Sequence, residues 1–238
     1  MQSVSGLMTF FALLFYTEDF PMAKRFTLED CMPLLELLTD YTRVATAEQL
    51  GKFCELYPEF SATSTPAIAM LRNCGLLICE DAAIRMPRLE KALFRWHPGD
   101  PAPDCLDLAN QLHQRNIVMP WRQTRLFWAT EKATSLVGGH SGLNRQPLQV
   151  QHDLCTTEVY LRVLADRYFA GSDEIWVGED SLRCEFARFF PTKMPDAAIL
   201  LDREIPIEAI EIGGVYSAGD LKRTHQSYSH KRIRYEIW

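Results

Sequence analysis

Asp196 and Glu211 are the two residues whose type and spacing could together hold a divalent cation. They flank two aliphatic runs, Ala197–Leu201 and Ile207–Ile212, which predict two short strands because aliphatic and β-branched residues dominate both. A two-residue turn at Arg203–Glu204 would set the two acids opposite each other at the open end of the hairpin. Adjacent carboxylates raise each other's pKa unless a cation lies between them, and Mg²⁺ prefers such oxygen ligands. Solvated strand-end carboxylates are the alternative.

The N-terminal third of the chain has the succession of helical and strand patterns that is typical of a winged helix-turn-helix. Thr27, followed by Asp30, is suited to cap a first helix, and Thr46 is suited to cap a second helix with the sequence AEQLGKFCEL. Ser64 or Thr65 begins a third helix, in which proline takes a favoured early position. These three helices predict the compact part of a winged helix.

A wing follows the third helix in this prediction. Gly75 ends the helix, and the next residues predict two short strands, Leu77–Cys79 and Ala83–Met86, separated by a turn at Glu80–Asp81. The chain then becomes rich in proline, which indicates a connector. We place the domain boundary near residue 98.

The third helix carries the candidate contacts to DNA, because hydroxyl and amide groups bind phosphates and base edges. These candidates are Ser64, Thr65, Arg72 and Asn73. Arg72 is the single cation among them and the wing turn is acidic, whereas DNA affinity depends strongly on phosphate neutralisation. A protein-docking role for this unit is therefore the alternative.

The second half of the sequence alternates helical and strand patterns, as expected for an α/β domain. Helices are predicted over 105–115, 131–137, 156–168 and 216–230, and strands over 126–129, 174–178 and 234–238, in addition to the hairpin. From Val215 onward there are five Lys or Arg residues and two acids. Tyrosines interleave with these cations, which is typical of a nucleic-acid surface. The candidates there are Lys222, Arg223, Lys231 and Arg232; a solvated helix face is the alternative.

Several short motifs resemble known families. Pro195-Asp196 followed by Glu211 resembles PD-(D/E)xK nuclease-like folds. Together with His152-Asp-Leu and Trp176-x-x-Glu179, the layout resembles the replication-relaxation family of plasmid and mobile-element proteins. This resemblance implies an α+β chain with a winged helix-turn-helix domain over 27–98 and a nuclease-like α/β domain over 99–238.

The same resemblance suggests roles for individual residues. Glu158, on the first helix of the nuclease-like core, would join Asp196 and Glu211 at a metal; an i,i+4 surface pair with Arg162 is the alternative. Gly213 stands where an active nuclease has its lysine, which stabilises charge on phosphate. Lys222 is the candidate substitute. The glycine replacement argues against hydrolysis.

Composition narrows the class of protein. The chain has 238 residues, of which 47% are hydrophobic and 24% charged, and a net charge of −6; a protein that coats nucleic acid would be basic overall. Its seven cysteines form no CxxC pair, which favours a reducing, cytoplasmic setting. The apolar run Val4–Tyr16 within the extension 1–26 is too short to span a bilayer. It predicts a packed helix or dimer contact; a true start at Met22 or a targeting segment are alternatives.

These observations favour a DNA-binding accessory or regulatory protein of plasmid or mobile-element type, in which the nuclease-like domain is inactive. In this interpretation no cofactor is required, DNA is the main partner, a protein partner or a homodimer is a further expectation, and no membrane is involved. The first alternative is a nuclease that uses Asp196 and Glu211 with Mg²⁺. The second alternative is a protein-binding adaptor.

Overall fold

The computed structural model describes residues 27–57, 64–117, 119–142, 147–168 and 173–238. The predictions for the extension 1–26 lie outside these residues. The described chain is a mixed α+β structure with two β-sheets. None of its helices within these ranges has the length and apolar character needed to cross a bilayer.

Eight α-helices are formed by the described residues. They are α1 (Met32–Glu36), α2 (Ala47–Leu56), α3 (Ser64–Asn73), α4 (Cys105–Ile117), α5 (Glu131–Val137), α6 (Pro147–Tyr168), α7 (Glu179–Glu185) and α8 (Ala218–Ser229), with a π-helical turn at Leu37–Tyr41 after α1. The predicted cap of α2 is confirmed, because Thr46 and Gln49 form a reciprocal capping box. The predicted helix over 156–168 begins earlier, at Pro147, so that His152 lies inside α6 and not at its start.

Strands β1 (Ala45–Thr46), β2 (Leu77–Ile84) and β4 (Arg122–Ala129) form an antiparallel sheet in the order β1–β4–β2. The predicted turn at Glu80–Asp81 is wrong. Both residues lie within the continuous strand β2, where they pair with Leu126 and Arg125 of β4. The strand stays extended because β4 pairs with its whole length. The closest pair in sequence, Ile84 and Arg122, is 38 residues apart. β2 and β4 are therefore separated in the sequence by residues 85–121.

The second sheet contains β3 (Phe94–Trp96), β5 (Glu174–Gly178), β6 (Ala197–Leu201), β7 (Ile205–Glu211) and β8 (Arg234–Ile237). Its order is β3–β8–β7–β6–β5, and all neighbours are antiparallel except β7 and β8. A boundary at residue 98 does not separate the sheets. β3 precedes that residue and belongs to the second sheet, whereas β4 follows it and completes the first.

The hairpin of β6 and β7 has the predicted register at its open end, where Ala197 pairs with Ile210. Its turn is different from the prediction. A bulge after Ile199 shifts the register, and Asp202–Glu204 form a three-residue turn. The extra residue is Ile207 on β7. It directly follows Pro206, which has no backbone N–H to donate to the ladder.

The two faces of the second sheet bury different sets of side chains, as expected from the two-residue period of a strand. One face packs with α6 and the N-terminal helices and includes Ala197, Ile199, Ile210 and Ile212. The opposite face packs with α4 and α8 and includes Ala198, Leu200 and Ala209. The open end of the β6–β7 hairpin is thus enclosed between helices on both sides.

Candidate functional site: a closed acidic pair

The structure brings Asp196 and Glu211 to the same end of the β6–β7 hairpin, as the register predicts. The backbone N–H of Asp196 donates to the carbonyl of Ile210 at 3.1 Å, which continues the ladder by one residue. Asp196 Oδ2 accepts the backbone N–H of Ile212 at 2.7 Å. The two carboxyl groups are close enough for Asp196 to raise the pKa of Glu211.

Glu211 is fully buried and accepts three side-chain hydrogen bonds. Lys193 Nζ lies 2.7 Å from Oε2, Tyr216 Oη donates to the same oxygen at 3.0 Å, and Tyr228 Oη donates to Oε1. Burial, followed by the charge of Asp196, raises the pKa of Glu211 to about 7. The three donors occupy both oxygens of the carboxylate and close this side of the acidic pair.

Asp196 has a cationic partner from α6. His152 Nε2 lies 3.2 Å from Asp196 Oδ2. Burial alone would raise the pKa of Asp196, but the charge and hydrogen bond of His152, with the Ile212 N–H, lower it. Burial favours neutral His152, yet Asp196 and Asp153 raise the pKa of its imidazole to about 10. The pair Asp196–His152 is therefore charged at neutral pH.

Arg43 forms a second polar centre beside this pair. Its guanidinium binds Asp180 through two hydrogen bonds of 2.6 and 2.7 Å, Glu179 at 3.1 Å and Asp153 at 3.2 Å. Arg43 follows the π-helical turn of the N-terminal part, whereas its acidic partners lie on α6 and α7. It links the segment before β1 to the helices beside the second sheet.

Glu158 does not join Asp196 and Glu211. Its Oε1 is bound by Lys52 of α2 at 3.0 Å and by Arg162 at 3.3 Å, as the surface-pair alternative anticipated. Within the described ranges, no group of three His, Cys, Asp or Glu side chains has the arrangement to hold a metal ion. Lys193 instead supplies positive charge to Glu211.

Lys222 also lies away from the acidic pair. It is exposed on α8 and lowers the pKa of Cys105 on α4, although burial leaves that pKa raised overall. Lys193, and not Lys222, is the lysine that lies at Glu211. The sequence interpretation missed it. Lys193 precedes β6 in a loop, and no helical or strand period connects it with Glu211.

Gly213 has a structural reason to be glycine. A Cβ atom at this position would lie 2.1 Å from Leu112 Cδ2 and 2.8 Å from the carbonyl oxygen of Trp238. Its own N–H donates to that carbonyl at 2.7 Å. Helix α4 and the residue after β8 thus occupy the space that a lysine side chain would need.

The predicted DNA contacts are exposed on two different elements. Thr65, Arg72 and Asn73 are exposed on α3, and Ser64 is half-buried at its first position. On and just after α8, four cations are exposed: Lys222, Arg223, Lys231 and Arg232. Arg223 pairs with Asp220 on the same helix. α3 packs with α2 and β2, whereas α8 packs with α4 and β8.

The sequence interpretation missed a group of cations near the far end of the β2–β4 ladder. Arg122 pairs in register with Ile84 and is exposed, as is Arg88. The guanidinium of Arg85 lies 4.5 Å from the ring centroid of Trp121, which is 60% exposed. Two strands meet here from distant parts of the sequence, so that no local pattern predicts the group.

Comparison of the chain with protein-family models, with curated proteins and with solved structures finds no match. The function is therefore inferred from the geometry of the chain itself.

The raised pKa of Glu211 predicts how stability depends on pH. The folded state keeps the proton up to about pH 7, whereas the unfolded chain releases it near the ordinary value of 4.5. The unfolded state then binds fewer protons between these values, and this group's contribution to stability falls as pH rises from 4.5 to 7. Urea unfolding of the parent and of Glu211→Gln across this range should show that fall in the parent relative to the variant. If the stability of the parent and of Glu211→Gln changed equally with pH, the raised pKa of Glu211 would be contradicted.

Proposed function

We propose that the chain is a DNA-binding accessory protein in which a nuclease-like domain is closed and does not cleave. The observation that carries this proposal is the buried Glu211, whose two oxygens both accept hydrogen bonds from protein side chains. The short-motif resemblance to plasmid and mobile-element proteins agrees with such a role.

The order of elements in the first sheet supports a winged helix. α2 and α3 follow β1, β2 and β4 follow α3, and the sheet order is β1–β4–β2, which is the connectivity of a winged helix with an insertion in its wing. α3 presents Arg72 to solvent, and the wing adds Arg88 and Arg122. These cations supply the phosphate neutralisation that α3 lacks by itself.

The second sheet supports a nuclease-like core. Helix α6 is followed by β5, the short helix α7 and a 3-10 turn, then by β6, β7 and α8, and β8 returns parallel to β7. Apart from α7, this succession agrees with a PD-(D/E)xK-type core, in which Asp196 would precede β6 and Glu211 would end β7. Lys193 and two tyrosines bind both oxygens of Glu211. Protein donors therefore occupy the positions at which an exchangeable ligand would bind.

Charge reversal tests the DNA surface. In Arg72→Glu/Arg122→Glu, we expect weaker binding of duplex DNA and a slope of log affinity against log salt that is shallower by about 2, because each cation neutralises about one phosphate. Fluorescence anisotropy over a salt series measures both quantities. Arg188→Glu/Arg203→Glu, at exposed positions on other elements, is the charge-matched control. If Lys222/Arg223/Lys231/Arg232 reversal alone weakens binding, α8 and not α3 is the DNA surface.

A metal-dependent nuclease is the second candidate, and Lys193 is the observation that favours it. Its ammonium lies 2.7 Å from Glu211, so a cation is present at the acidic pair although the motif position holds glycine. Opening of the Tyr216 and Tyr228 hydrogen bonds would free one side of Glu211, and release of His152 would free Asp196, so that both acids could bind Mg²⁺. Cleavage of plasmid DNA that needs Mg²⁺ or Mn²⁺ and disappears in Asp196→Ala would establish this activity and overturn the closed-site proposal.

A further inference from the structure

A large cavity lies on the side of the second sheet that faces the N-terminal helices. Its volume is about 900 Å³, which is within the range of small-molecule sites. The walls come from the π-helical turn, from the C-terminal part of α6, from β5 and from α7. The acidic pair described above is not part of its lining.

Aromatic side chains form much of the wall. The five are Tyr41, Tyr57, Tyr160, Trp176 and Phe186. Tyr160 stacks on Tyr41 with 5.3 Å between ring centroids and meets Trp176 edge-on at 5.5 Å. Trp176 Nε1 donates to the carbonyl of Tyr41 at 2.9 Å. The rings of Tyr41, Tyr160 and Trp176 are thus held in fixed orientations by one another and by the backbone.

The charged residues of the lining are mainly acidic. Asp40, Glu174 and Glu185 line the cavity together with one cation, Arg203. Arg234 lies 3.8 Å from Glu174. Asp40 and Glu185 take part in none of the ion pairs formed among the described residues.

Asp40 lies in a markedly negative environment. Burial raises the pKa of Asp40 most, and the charge of Glu36 raises it further; His140 opposes this effect, and Glu185 adds a smaller increase. Carboxylates in such surroundings favour a cation as their neighbour. The negative potential also disfavours phosphate, which separates this cavity from the proposed DNA surface.

We propose that the cavity binds an organic ammonium cation. Aromatic ring faces attract such ions through their quadrupoles, and quaternary ammonium groups are recognised in this way. The carboxylates of Asp40 and Glu185 add charge complementarity at the same cavity. A bare metal ion would gain little from five aromatic walls, and a neutral apolar molecule would gain nothing from the acids. This binding role is independent of the proposed DNA function.

Choline is the probe for this site, and 3,3-dimethylbutan-1-ol is its neutral isostere. Isothermal titration calorimetry should show saturable millimolar binding of choline and at least about tenfold weaker binding of the isostere. Glu185→Gln and Phe186→Leu should each weaken choline binding severalfold, whereas Glu80→Gln, an exposed acid on β2, should leave it unchanged. Asp40→Asn provides a second charge variant of equal size.

Equal binding of choline and its isostere would overturn the proposal, since the cavity would then recognise shape alone. Failure of choline to bind across the millimolar range would overturn it as well. Retention of full affinity in both Glu185→Gln and Asp40→Asn would place any choline site elsewhere. DNA binding measured on the same protein is expected to be unaffected by choline, so that the two proposals fail separately.

Discussion

Replacing Arg43 by methionine is expected to lower the free energy of unfolding by about 3–5 kcal/mol. Arg43 is 9% exposed and binds Asp153, Glu179 and Asp180. Methionine keeps much of the side-chain volume but leaves three neighbouring carboxylates without their shared cation. The largest cost is expected at Asp153, because its side chain is only 4% exposed and its charge would be buried without the guanidinium. Urea unfolding followed by circular dichroism measures the change.

Arg125→Met is the matched control. Arg125 binds Asp81 at 3.0 Å, but these side chains are 58% and 61% exposed. An exposed pair of this kind contributes little to stability, because water screens the two charges. A loss in Arg43→Met no larger than that in the control would show that the Arg43 centre does not hold the N-terminal segment against α6 and α7.

Replacing Gly213 by alanine is expected to cost about 2–3 kcal/mol of stability, because the added methyl group overpacks a closed contact. Leu112 can move its side chain, but the carbonyl oxygen of Trp238, 2.8 Å from the new Cβ, belongs to the backbone. The displacement would strain the hydrogen bond from the Gly213 N–H to that same oxygen. Urea unfolding followed by circular dichroism measures this loss of stability.

Gly214→Ala separates this contact from a general effect of glycine replacement. A Cβ at Gly214 meets no atom within 4 Å, so that we expect little change in stability. Gly213→Lys, which restores the nuclease motif in sequence, should destabilise the fold and yield no Mg²⁺-dependent cleavage. A stable and active Gly213→Lys protein would show that α4 moves aside to admit the lysine.

Local chemistry predicts much of this fold. Residues 47–56 form α2 within the predicted bounds because a capping box marks their start, and 174–178 and 197–201 form strands because aliphatic residues cluster there. The meeting of Asp196 and Glu211 follows from the hairpin register at Ala197 and Ile210. Such features depend on residues near one another in the sequence.

The remaining features depend on residues that meet only after folding. β2 becomes continuous because β4 pairs with its whole length. Lys193 reaches Glu211 from a loop, and Arg43 meets Asp180 across 137 positions of sequence. No periodicity records such contacts. Lys222 was a reasonable substitute on helical spacing, but the inward face of α8 is formed by Leu221, Thr224 and Tyr228.

The exchange of β3 and β4 between the sheets has a consequence for how the chain can be divided. A cut between residues 97 and 104 would strip each fragment of a strand that the other fragment carries. Neither piece would close its own hydrogen-bond ladder, and each would expose an unpaired edge prone to self-association. We therefore expect the two halves to unfold together, and separately expressed pieces to regain native structure only by complementing each other.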